Sequence, residues 1–157
     1  MRKAARHWRA ALRSRDNRHP AVLATLLVLC ATIHVRAAPC DAPAPIAFAP
    51  GAVAAEVTGA SPRGTPECWT LEARAGQHLS AQVRSAGNDV VLQIYRPRST
   101  YKEGEPAPGS EPLDKSVSEG KDARSFSGKL PQTGKYLFVV GSKWGGGEYK
   151  LQVKVTK

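Results

Sequence analysis

Along the last quarter of the chain, apolar and polar residues follow the two rhythms of a β-strand. Tyr136-Leu137-Phe138-Val139-Val140 is apolar at every position, the pattern of a strand covered on both faces. Tyr149, Leu151, Val153 and Val155 alternate with Lys150, Gln152, Lys154 and Thr156, the pattern of a strand with one buried and one wet face. Between them lies Gly141-Ser142-Lys143-Trp144-Gly145-Gly146-Gly147, a glycine-rich turn, so the spacing predicts a C-terminal hairpin. Upstream, Trp69, Leu71 and Ala73 alternate with Thr70, Glu72 and Arg74. After the tight turn Ala75-Gly76-Gln77, Leu79, Ala81 and Val83 alternate with Ser80, Gln82 and Arg84, predicting another hairpin. Ser85-Ala86-Gly87-Asn88 is the next turn. Asp89 to Arg96 follows as a central strand with Val90, Leu92 and Ile94 on one face. Val53 to Thr58 reads as a short edge strand, and Ser125 to Leu130 as a strand through Phe126. About seven short strands punctuated by Gly and Pro predict an all-β fold, a single antiparallel β-sandwich, jelly-roll-like.

Three segments break the rhythm. Residues 38–66 form a Pro/Ala-rich arm that holds the possible edge strand. Its Pro39–Pro50 part lacks the donors of a central strand, and its Gly59–Pro66 part reads as a loop. Within the sandwich domain, 67–157, the stretch 97–122 carries four prolines, three glycines and many charges, the composition of a disordered segment. Its 26 residues are long for a loop in a compact domain. The third segment is 1–37. Its basic start, its apolar run Ala21–Val35 and the small residue Ala37 predict a signal peptide cleaved after Ala37. The 15-residue apolar run spans about 22 Å as a helix, short of a hydrocarbon core of about 30 Å, so no stable membrane span is expected after cleavage. The expected destination is the periplasm or the exterior.

Charge follows the same division. The chain of 157 residues has net charge +10. Residues 1–37 hold eight basic residues and one acid, a net of +7, leaving fifteen basic and twelve acidic residues, a net of +3, for the rest. That remainder is spread over alternating strands and gives no basic face for a nucleic acid. Of the three cysteines, Cys30 lies in the predicted signal. Cys40 and Cys68 remain, and in an exported chain they are expected to form one disulfide, worth about 3–4 kcal/mol by loop-closure entropy.

Catalytic chemistry finds few footholds. After residue 37 the one histidine is His78, with no His or Cys partner at metal-binding spacing. No nucleophile elbow, zinc-protease helix or phosphate loop is present. Glu103 and Glu105 are carboxylates in the long loop without further oxygen ligands placed beside them, and Lys102 opposes a cation there. No metal, cofactor or catalytic set is therefore expected, and the reading is a binding protein, not an enzyme. The candidate contact residues are Ser142, Lys143 and Trp144 in the glycine turn, with Tyr95 and Tyr101 near the long loop, because Trp and Tyr are enriched at binding hot spots. The competing expectations are that Trp144 folds back to cap the core and that Tyr95 is ordinary packing.

Several stretches carry a family likeness. Ala75-Gly76-Gln77 opening a strand, Asp89 at the start of the next, and Thr133-Gly134-Lys135-Tyr136 beginning a late strand together resemble the bacterial pre-peptidase C-terminal domain. The same order of elements is similar to that of the periplasmic inhibitors of g-type lysozyme. The resemblance covers Trp69 to Val155. It implies a sandwich fold and two candidate roles. One is inhibition of a g-type lysozyme by loops that occlude its active-site cleft. The other is non-catalytic binding of another extracytoplasmic protein or a carbohydrate. No inhibitory residue is carried over, and Lys143 and Trp144 are chosen for their position.

Overall fold

The alternation becomes two antiparallel sheets packed face to face. The computed structural model describes residues 38–157; the predicted signal segment lies outside the described residues. In chain order the strands are β1 (Ala38–Pro39), β2 (Ala44–Pro45), β3 (Ala54–Pro62), β4 (Glu67–Ala73), β5 (His78–Ser85), β6 (Val90–Tyr95), β7 (Tyr101–Lys102), β8 (Glu105–Pro106), β9 (Ser125–Lys129), β10 (Gly134–Ser142) and β11 (Gly146–Thr156), with one 3-10 turn at Lys115–Val117. The first sheet has the order β1-β4-β10-β6, with β2 lying parallel to β4; the second has the order β3-β11-β5-β9. Among the described residues no helix is long and apolar enough to cross a membrane.

Both predicted hairpins are corrected. β4 pairs with β10 and β5 with β11, so the turn at Arg74–Gln77 carries the chain from one sheet to the other. β10 pairs with β4 and β6, and β11 with β3 and β5, so the turn after Ser142 does the same. Alternation tells which face of a strand is buried, not which strand lies beside it. Here each apolar face meets its sequence neighbour's across the core. Trp69, Leu71, Phe138, Val140, Leu92 and Ile94 of the first sheet pack against Leu79, Val83, Leu151 and Val153 of the second.

The predicted edge strand also runs further than expected. β3 continues through Gly59-Ala60-Ser61-Pro62, which composition assigned to a loop. Gly59 stands opposite Tyr149. A Cβ on Gly59 would lie 2.6 Å from the Tyr149 hydroxyl, so the glycine is where the tyrosine ring crosses the strand, not a break in it.

The stretch 97–122, which by composition reads as disordered, is folded. Leu113 N–H bonds to Ile94 O at 2.7 Å and Arg96 N–H to Glu111 O at 2.8 Å, and Pro112 bridges Tyr95, so this chain continues the first sheet beyond β6. Asp114 accepts from Ser116 N–H at 2.8 Å and caps the 3-10 turn. Glu103 and Gly104, with φ of 53° and 86°, make the two-residue turn of the β7–β8 hairpin. Few apolar residues suffice because each is placed. Leu113 and Val117 enter the main core, and Tyr101 enters a second cluster with Cys68, Tyr95, Leu137 and Val139 on the outer face of the first sheet. That cluster explains why β10 is apolar on both faces.

Cys40 and Cys68 form the expected disulfide, with Cα atoms 4.7 Å apart. It pins the arm along the free edge of β4, where Ile46 N–H bonds to Thr70 O at 2.8 Å. The double variant Cys40→Ser, Cys68→Ala is expected to lose about 3 kcal/mol. Calorimetry should then show a melting temperature lower by about 10 °C, and an unchanged melt would refute a stabilising role for the bridge.

The three stretches that carried the family likeness are turn locks. Arg74 N–H bonds to the Gln77 side chain at 2.6 Å. Asp89 Oδ1 accepts from the Ser85 hydroxyl at 3.0 Å. The Tyr136 hydroxyl donates to Gln132 O at 2.6 Å, while Thr133 Oγ1 accepts from Ala75 N–H at 3.0 Å.

Candidate functional site

The corner between β10 and β11 is rigid at its base and open at its tip. Lys143 N–H bonds to Asp89 O at 2.9 Å, which ties the corner to the start of β6. The Ser142 hydroxyl donates to Trp144 O at 3.3 Å, and Gly146 N–H donates to the same oxygen at 2.9 Å. Gly145 and Gly146 have φ of 77° and 95°, a region costly for other residues. Gly146 is required twice over, because a Cβ there would lie 2.7 Å from Ser61 O.

These constraints push Trp144 outward. Its side chain does not cap the core: the residue is 73% exposed, and Val53 is its one companion among the exposed large hydrophobic residues described. Lys143, beside it, is ion-paired with Asp122 from the end of the long segment. Arg124, two residues past that segment, donates to Asn88 O at 3.4 Å. The corner, the turn before β6 and residues 122–124 thus meet at one end of the sandwich. Ser142, Lys143 and Trp144 are brought together there.

Tyr95 and Tyr101 are not part of that surface, which corrects their assignment as contact residues. Both are nearly enclosed in the outer cluster, their ring centroids 6.3 Å apart, and their hydroxyls bond within the fold, to Gln93 and to Gly104 O, each at 2.6 Å. Burial, with the negative charge of Glu119 nearby, pushes Tyr95 up to about 12 and raises Tyr101. His78 Nε2 lies 2.9 Å from the Ser127 hydroxyl at the surface. Among the described residues no three His, Cys, Asp or Glu side chains gather as a metal site would need.

Sequence reading missed the brace beneath the corner. The Trp69 indole N–H donates to the Tyr149 hydroxyl at 2.7 Å, and that hydroxyl donates to Glu67 Oε2 at 2.7 Å. Glu67 is paired with Val140 near the end of β10, while Tyr149 lies near the start of β11. The chain of bonds therefore joins the two sheets just below the turn. The signal was present: a Trp and a Tyr on buried faces each need a polar partner. Burial, and then the bond to Glu67, hold the Tyr149 hydroxyl well above the usual tyrosine range.

With Tyr95, Tyr101 and Tyr149 all raised over an unfolded value of about 10, their contribution to stability is fully present below about pH 10 and is lost as pH climbs through the folded values. The melting temperature is expected to fall steadily above about pH 10, with tyrosinate absorbance appearing together with unfolding. Ionisation of Tyr95, Tyr101 and Tyr149 near pH 10 in the folded protein would contradict this.

No family model and no curated protein matches the chain. Solved structures do match. One is PliG of Aeromonas hydrophila, a periplasmic inhibitor of g-type lysozyme, with a TM-score of 0.55 at 24% identity over 72% of this chain and 95% of that one. PliG of Salmonella Typhimurium gives 0.50 at 18% identity over 71% and 96%. A mutant of the Escherichia coli PliG gives 0.51 at 16% identity over 72% and 96%. The likeness is one of fold. It spans nearly the whole of each inhibitor, with no additional domain on their side.

Proposed function

We propose that this protein is an exported, non-catalytic inhibitor of a g-type lysozyme, acting through the corner between β10 and β11. The observation that carries the reading is Trp144, exposed on a corner braced by Asp89, Gly146 and the Trp69–Tyr149–Glu67 bonds. The fold likeness to three inhibitors of that enzyme class supports it. Glycosidases of the usual kind work with carboxylates in a substrate cleft. Trp144 would fill a sugar subsite, as sugar rings stack on aromatic faces, and Lys143 would exchange Asp122 for a carboxylate of the enzyme. Because Lys143 is already held by its backbone bond to Asp89, little ordering is needed on docking.

The test is clearance of a cell-wall suspension by a g-type lysozyme with and without residues 38–157. Dose-dependent inhibition that saturates near equimolar protein is expected; full clearance at a large molar excess would overturn the reading.

A second reading rests on a separate observation. An open groove of about 670 Å³ crosses the second sheet, its lining mainly apolar through Phe126, Ala54 and Ala55, with Glu56, Gln82 and Gln152 among its polar residues. Gln152 donates to Glu56 at 2.9 Å, and Arg84 to Gln82 at 2.8 Å. An amide and carboxylate row, Glu56, Gln152 and Gln82, beside the apolar surface of Phe126 offers a glycan both hydrogen bonds and a ring to stack on. Retention on a polysaccharide column without effect on lysozyme would favour this role.

A further inference from the structure

The second sheet turns one face away from the core, and there the side chains of neighbouring strands stand in rows. Lys150 and Arg84 share one row, Gln152 and Gln82 the next, and Lys154 and Ser80 a third. The hollow of the groove follows from side-chain size. Ala54, Ser80 and Ser125 are short, and Gln152 and Lys154 rise beside them.

The amide row is set before any ligand arrives. Arg84 donates to Gln82 Oε1 through Nε at 3.1 Å and Nη2 at 2.8 Å, and Gln152 Nε2 donates to Glu56 at 2.9 Å. Gln82 Nε2 and Gln152 Oε1, on adjacent strands, are left without a bond among the described residues. One is a donor and the other an acceptor. A sugar hydroxyl donates and accepts at once, so it matches the pair.

Charge on this face is not balanced. Arg84, Lys129, Lys150 and Lys154 point outward against Glu56 and Glu148. Glu56 pairs with Lys150 at 3.6 Å, whereas Arg84, Lys129 and Lys154 enter no ion pair among the described residues. Arg84 and Lys154 flank the amide row from opposite sides, about 14 Å apart along the strands. A nucleic-acid strand carries one charge per about 3.4 Å and would leave most of its phosphates unmet here. Carboxylates separated by sugar rings suit the wider spacing.

We propose that this face binds an acidic polysaccharide, one whose sugar rings carry carboxylates. The assignment rests on the glycan reading above and names its class. One carboxylate would meet Arg84, whose guanidinium is already aligned by Gln82, and another Lys154. The ring between them would lie in the hollow with its hydroxyls on Gln82 and Gln152. Because Arg84, Gln82 and Gln152 are held beforehand, little ordering remains for binding to impose.

The test is titration calorimetry with a short oligogalacturonate. Saturable binding below about 1 mM is expected, weakening as salt is raised. The methyl ester of the same oligosaccharide keeps the rings, loses the charge and should bind about tenfold more weakly. Arg84→Gln and Lys154→Gln should each weaken binding of the acid about fivefold and leave the ester unaffected. Ser80→Tyr fills the hollow and should abolish binding with little effect on the melt. Should that variant unfold, the two Gln variants at exposed positions decide the placement. Equal affinity of the ester would overturn the proposal while leaving a neutral glycan as the ligand. Equal binding of polyglutamate would overturn it by reducing the face to bare charge. Indifference to both Gln variants would overturn it by moving the ligand elsewhere. Absence of binding by acid and ester alike would remove the glycan reading with it.

Discussion

Trp144→Ala is expected to weaken inhibition of a g-type lysozyme by about a hundredfold while leaving the melting temperature unchanged. The two halves of that expectation have separate causes. The side chain is exposed and makes no contribution to the core, so its removal opens no cavity. A Trp that fills a pocket on a partner, by contrast, accounts for about 2–4 kcal/mol of binding. Lys143→Glu should act in the same direction, because it reverses the charge offered to the cleft. It also places a carboxylate beside Asp122, but at a half-exposed pair this costs about 1 kcal/mol at most. Inhibition constants and melts measured on both variants test the assignment. Unaltered constants would remove the corner from the contact surface, even if the wild-type protein inhibits.

The second large effect falls on stability. Tyr149→Phe keeps the ring and removes the hydroxyl between Trp69 and Glu67. The buried indole N–H loses its acceptor, and the expected cost is about 2–3 kcal/mol. Gly59→Ala should destabilise by a similar amount, because its Cβ would displace the same hydroxyl. Since both act on one set of bonds, their effects should be less than additive in the double variant. Denaturant titrations of the two single variants and the double variant decide this. Strict additivity would mean that Gly59 serves the backbone alone.

The sandwich was legible because its evidence is local. Period-two alternation at Trp69–Ala73, Leu79–Val83 and Tyr149–Val155 needs no knowledge of neighbours, and the pairing of Cys40 with Cys68 needs only their number. Strand partners were not legible, because a tight turn such as Ala75-Gly76-Gln77 serves a hairpin and a sheet-to-sheet corner alike. The order of the long segment was not legible because its average composition hides three anchors, Tyr101, Leu113 and Val117, whose effect depends on sheet faces made elsewhere. The site was half legible. A Trp in a glycine turn stood out in the sequence, and its side chain is exposed. Tyr95 and Tyr101 were chosen by residue type, and type alone does not separate a contact aromatic from a packed one.

β10 and β11 are both central strands, one in each sheet, and both lie within the last 24 residues of the chain. Until they are made, β4 and β6 have no common neighbour, and neither do β3 and β5. Folding therefore waits on closure of loops tens of residues long, the slow kind. A nascent chain therefore cannot close either sheet until β10 and β11 have both been synthesised, and before that its apolar strand faces have no layer to pack against.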